Sequence, residues 1–146
     1  MGRVKVTDNF YLDEFVPPEI YNVRGARSLA LMDIRIILAC QHIRDISGRR
    51  VTVNNWWNGG ALDERGLRLG DTPTGARWSQ HKYGRAVDLS VDGMRPREVH
   101  DLIRKHEIYF IERQWITTIE NPAFTPTWTH IDCRHTGLDR LLIVDP

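Results

Sequence analysis

The run Ser79-Gln80-His81-Lys82-Tyr83-Gly84-Arg85-Ala86-Val87-Asp88 constrains this chain more than any other stretch. It sets a histidine and an aspartate seven residues apart with a turn-permitting glycine between them, then enters the alternating segment Ala86-Val87-Asp88-Leu89-Ser90-Val91. Side chains alternate across a strand. Val87, Leu89 and Val91 are therefore expected in a core, and Ala86, Asp88 and Ser90 on the opposite face. A carboxylate on that face needs a partner, and His81 can reach it from just before the strand. Imidazole and carboxylate are zinc ligands, and a catalytic zinc takes three protein ligands and keeps a position for water. The alternative is a structural His–Asp hydrogen bond, so a third ligand is what the rest of the chain has to supply.

The 146 residues suffice for one domain, 1–146, with a buried core. A net charge of +1 gives no basic stripe for nucleic acid and no pull toward an anionic membrane. No run approaches the roughly 20 apolar residues of a membrane span. The first ten residues lack the hydrophobic segment of a secretory signal, which predicts a protein made in a cytoplasm that leaves, if it does, by another route. Two cysteines, Cys40 and Cys133, make no disulfide framework, and Cys40 lies in an apolar helical run as a buried thiol.

Residues 1–27 read as an irregular arm anchored by Phe10, Tyr11 and Phe15, because Pro17-Pro18 interrupts a continuous helix. A helix is expected from Ser28 to Ile46, with Met32, Ile36, Ala39, Cys40 and Ile43 on its buried face, Ser28 as N-cap and Gly48 as stop. Val51-Thr52-Val53 follows as a short strand. Pro96 opens a second helix near Arg95 to His106, buried through Val99, Leu102 and Ile103. The expected class is α+β, a small and mostly antiparallel sheet with flanking helices.

Between Asn54 and Trp78 lies a long polar loop carrying Trp56, Trp57 and Trp78. Loops of that length are usually functional. These tryptophans either cap the core or border a cleft, and their position ahead of the His81 motif assigns them to a substrate-binding rim. The last third reads as a hairpin of 115–120 and 128–134, turning through Asn121-Pro122 and Thr125-Pro126. Trp128, His130 and Asp132 share one face of its second strand. If residues 120 and 128 pair, Glu120 lies diagonal to His130, roughly 7–8 Å away. His42, His100, His106 and His135 read as surface residues.

Ser79-x-His81-x-x-Gly84-x-Ala86-x-Asp88 followed by Trp128-x-His130-x-Asp132 resembles the M15 family of zinc peptidases, in a variant similar to small bacteriophage proteins. That family includes D-Ala-D-Ala carboxypeptidases and phage endolysins and shares the hedgehog fold. The likeness extends to 10–15, the Gly48 turn, 51–56 and Gly66-Leu67-Arg68. The resemblance implies Zn2+ held by His81, Asp88 and His130, and peptide bonds of bacterial peptidoglycan as substrate. It implies a protein released at lysis or carried on a virion, with other virion proteins as partners in the second case. Many members carry the catalytic acid three residues before the last histidine, where this chain has Thr127. Glu120 is the best replacement as general base, and Arg68 is the nearest candidate for a substrate-polarising arginine. Asp132 is better suited to hydrogen-bond a ligating imidazole than to bind metal. The rival reading is a non-catalytic virion structural or cell-wall-binding module that keeps the fold, and Thr127 favours it.

Overall fold

The computed structural model describes residues 2–146. Pro17 is extended, and Pro18 takes the first position of a helix, α1 (Pro18–Arg24). Proline suits that position because its missing N–H has no partner to lose there. The expected irregular arm is corrected accordingly: it carries this helix and 3-10 turns at Leu12–Glu14 and Gly25–Leu31. Phe10 and Phe15 are fully buried as anchors.

The next helix, α2 (Ile34–Ser47), starts later than expected. Its N-cap is Asp33, whose carboxylate accepts from the Arg35 backbone N–H at 3.0 Å, while Ser28 is buried in the preceding 3-10 stretch. Asp33 displaces Ser28 because Met32 is extended (ψ 138°), which breaks the chain direction between them. Gly48 closes α2 in the left-handed region. Ile36, Ala39, Cys40 and Ile43 are buried as the spacing requires.

The strands are β1 (Val51–Thr52), β2 (Ala86–Val91), β3 (Thr118–Glu120), β4 (Thr129–Asp132) and β5 (Leu142–Val144). They form one sheet in the order β1-β2-β4-β3-β5, antiparallel except for the parallel β3–β5 pair. Two more helices, α3 (Pro96–Lys105) and α4 (Glu107–Arg113), connect β2 to β3. The class is thus α+β with a mixed sheet. Val87, Leu89 and Val91 join α2, Val99, Ile103 and Phe110 in one core. His100 is buried and His42 stacks on Tyr109 at 3.8 Å, so neither is the surface residue expected. No helix among the described residues is long and apolar enough to cross a membrane.

Candidate metal centre

The opposite face of β2 meets β4 in a register that sets Asp88 directly across from His130. His81 arrives from a 3-10 turn, Gln80–Tyr83, capped by the Ser79 hydroxyl and closed by Gly84 at φ 68°. A Cβ at Gly84 would overlap the Leu31 carbonyl, so this turn packs against the chain only with glycine there. The Nε2 of His81 stands 3.2 Å from Asp88 Oδ1, and Nδ1 of His130 stands 3.0 Å from the same oxygen. These three buried side chains offer ligand atoms that all lie within 4.8 Å of one another, and the group could hold a metal ion.

The outer nitrogens decide what the inner ones present. Nδ1 of His81 lies 2.8 Å from the Gly66 carbonyl, which can only accept, so the hydrogen is on Nδ1. Nε2 of His130 lies 2.9 Å from Asp132 Oδ2 and donates to it. In their neutral forms both imidazoles therefore aim a lone pair at a carboxylate oxygen. That convergence is repulsive unless a cation sits between them.

Without a metal, a proton does the job. Burial lowers the pKa of His130, but hydrogen bonds to Asp132 and Asp88 outweigh it and raise the ring to about 9. Burial pushes Asp88 up, and hydrogen bonds from His130 and His81 more than reverse this, leaving it well below the ordinary carboxylate range. Asp132 is likewise raised by burial and then brought below its ordinary value by Arg134 and His130. Arg134 grips both Asp132 oxygens, through Nε at 2.8 Å and through Nη2. Arg68 holds the other Asp88 oxygen through Nη2 at 3.1 Å and is itself fixed by Nε donating to the Glu64 carbonyl at 2.7 Å.

A cleft of about 430 Å³ opens over these ligands, walled by Arg68, Trp78, Glu120 and Trp128 among others. The hairpin register differs from the expected one by two residues. Thr118 pairs with Asp132 and Ile119 with Ile131, which brings Glu120 straight across from His130 rather than diagonal to it. Its Oε1 lies 3.9 Å from His130 Nδ1, the nitrogen that faces Asp88. The shift arises because the stretch between the strands is longer than a tight turn and does not fix register from sequence. Asp132 is fully buried against the other ring nitrogen.

Trp78 stands 69% exposed on the cleft wall. Trp56 and Trp57 are not among the residues lining it, which corrects their expected position. The Trp56 indole donates to the Val16 carbonyl at 2.9 Å, and Trp57 donates to the Asn54 carbonyl at 3.0 Å beneath the Arg3 guanidinium. A buried indole N–H needs an acceptor. Both find theirs in backbone away from the cleft. Thr127 lines a smaller hollow beside Trp128 together with Leu62, Arg65 and Asp88. Two contributors are not legible in the sequence: the Gly66 carbonyl, which no side-chain motif can reveal, and the Arg65 carbonyl, which accepts from the Asp88 N–H at 2.7 Å. No family model, no curated protein and no solved structure matches the chain, and the chemistry of the centre stands on its own residues.

Proposed function

We propose that the chain is a zinc-dependent peptidase acting on peptides of bacterial peptidoglycan, of the M15 type and with that family's hedgehog-like fold. One observation carries the reading: two imidazole lone pairs and one carboxylate oxygen converge beside a solvent-reaching cleft, each imidazole fixed from behind by an acceptor. Two histidines and a carboxylate make a donor set suited to catalytic zinc, and a third protein ligand is where such sites stop. His81, Asp88 and His130 would hold the ion. When bound, zinc supplies a Lewis acid that polarises a carbonyl and lowers the pKa of water toward about 7.

The remaining work belongs to side chains. Glu120, beside the inner nitrogen of His130, takes the proton of the attacking water and delivers it to the leaving amine nitrogen. Asp132, held by Arg134, keeps the His130 hydrogen on Nε2 and so keeps Nδ1 free. Arg68 orients Asp88, and its second terminal nitrogen is the donor left for an oxyanion. Trp78 and Trp128 give the substrate apolar walls. The setting would be phage-associated, with the protein released at lysis or carried on a virion.

A second reading, a virion structural or cell-wall-binding module retaining the fold, rests on Thr127, which cannot accept a proton from water. Digestion of purified peptidoglycan separates the two. Zinc-loaded wild type should release new amino groups while Glu120→Gln, at equal zinc content, should not. Absence of release by the wild type across a panel of cell walls would leave the non-catalytic reading.

A further inference from the structure

Beyond the metal ligands, the polar face of β2 ends on Ser90, and this residue leads to a guanidinium that none of the roles above uses. Arg65 donates through Nη2 to the Ser90 hydroxyl at 3.0 Å, the single hydrogen bond its side chain makes among the described residues. It enters no ion pair there, whereas Arg68 and Arg134 each hold a carboxylate. Its backbone is pinned from both sides: its N–H donates to Asn54 Oδ1 at 3.0 Å, and its carbonyl accepts from the Asp88 N–H at 2.7 Å. Arg65 is half-buried and lines a hollow of about 270 Å³ with Leu62, Asp88, Thr127 and Trp128. Asp88 and Trp128 also wall the main cleft, so the two hollows meet at the metal ligand.

A partly desolvated guanidinium with most of its donors unused is costly unless an anion completes it. Its planar fork matches a carboxylate in two parallel hydrogen bonds. Asp88 does not fill that role, since one oxygen is turned to the imidazoles and the other is held by Arg68. We propose that Arg65 reads a carboxylate of the substrate, which sets the site's preference for peptides carrying a free carboxylate on the residue that lies over Asp88 and Trp128. This deepens the peptidase reading and rests on it. The carboxylate has two sources, the chain terminus or an acidic side chain, with the same chemistry for Arg65.

The test measures both binding and cleavage with zinc-loaded protein and two matched peptide pairs. One pair ends in a free D-alanine or its amide; the other is amidated at the terminus and carries an internal glutamate or glutamine. Wild type should bind and cleave the acid of one pair about 10- to 100-fold better than its neutral partner, as expected for hydrogen bonds to a charged group. The pair that shows the preference identifies the source. Arg65→Met should lose the preference while keeping its zinc content, and Arg65→Lys should keep part of it. Equal affinities within both pairs for wild type would overturn the proposal without any variant. So would an undiminished preference in Arg65→Met, or in Arg65→Lys if the methionine variant does not fold. An acid preference in binding that depends on Arg65, with no cleavage of any peptide, would uphold the carboxylate site and refute the peptidase reading.

Discussion

The metal-free protein should lose stability as the pH rises from about 6.5 to about 9. With its lone pair and that of His81 both aimed at Asp88 Oδ1, His130 holds a proton in the folded state until about pH 9, against an ordinary 6.5. A group whose folded pKa lies above its unfolded value stabilises the fold fully below the unfolded value, and that stabilisation disappears through the folded one. At about 1.4 kcal/mol per pKa unit, a shift of this size corresponds to about 3 kcal/mol, a large part of the roughly 5–15 kcal/mol that holds a domain together. Other shifted groups act outside the window. The Cys133 thiol is pushed by burial, with Asp33 adding to it, up to about 12. His42 and His100 are lowered by burial and change stability below the ordinary value. Urea unfolding of chelator-treated protein at half-unit pH steps measures the slope, and His130→Asn should remove it. Zinc at this centre would compete for the same lone pair. Its binding should release a proton in this window, and its apparent affinity should climb with pH up to about 9. A flat profile for the metal-free wild type, or an unchanged slope in His130→Asn, would refute the tautomer argument.

Replacing His81, Asp88 or His130 with Ala should lower the zinc content of purified protein, and full retention by all three variants would remove the metal assignment. Glu120→Gln should keep zinc and melting temperature while losing activity by about 100- to 10,000-fold; Asp132→Asn should instead weaken zinc binding by about 10- to 100-fold in a competition titration with a chelator. Trp78→Ala should reduce turnover with an unchanged melting temperature, whereas Trp56→Ala should lower the melting temperature and leave turnover per folded molecule intact. Gly84→Ala should cost at least about 1–2 kcal/mol in urea unfolding, because it forces a side chain into the left-handed region and against the Leu31 carbonyl.

Which parts of this centre the sequence discloses follows from what sequence encodes locally. The alternation of β2 and β4 assigns Asp88, His130 and Asp132 to their faces without any knowledge of pairing, because side-chain period in a strand is two. For the same reason a register error of two residues leaves Glu120 on the right face but misjudges its distance from His130. The parallel strand β5 is invisible to local pattern, since its partner β3 is remote in sequence. Trp56 and Trp57 illustrate the limit for loops. Their composition suits a cleft rim, but the carbonyls of Val16 and Asn54 decide where the indoles turn, and one of those belongs to a distant segment. Ser28 and Asp33 are both good caps, and only the extended Met32 between them selects the second.

The charges around the centre add a constraint that no single residue carries. Asp88 faces Arg68 and Asp132 faces Arg134, so each buried carboxylate meets a guanidinium at hydrogen-bond distance. The fixed charges of these two pairs cancel, two neutral imidazoles add nothing, and Arg65 beside Asp88 contributes a further positive charge. Glu120 is a carboxylate not held by an arginine, 3.9 Å from His130 and one-fifth exposed. A divalent ion at these residues would therefore be left undercompensated by the protein, with Glu120 on its border. Such a surplus of positive charge favours hydroxide over water and stabilises a developing oxyanion, since charges in a partly desolvated cleft act with little screening. Were Arg68 absent, Asp88 would keep its full charge toward the ion and the surplus would shrink. Arg68→Met should then bind zinc at least as tightly as wild type while turning over substrate more slowly. Weaker zinc binding with unchanged turnover would mean that Arg68 acts only by holding Asp88 in place.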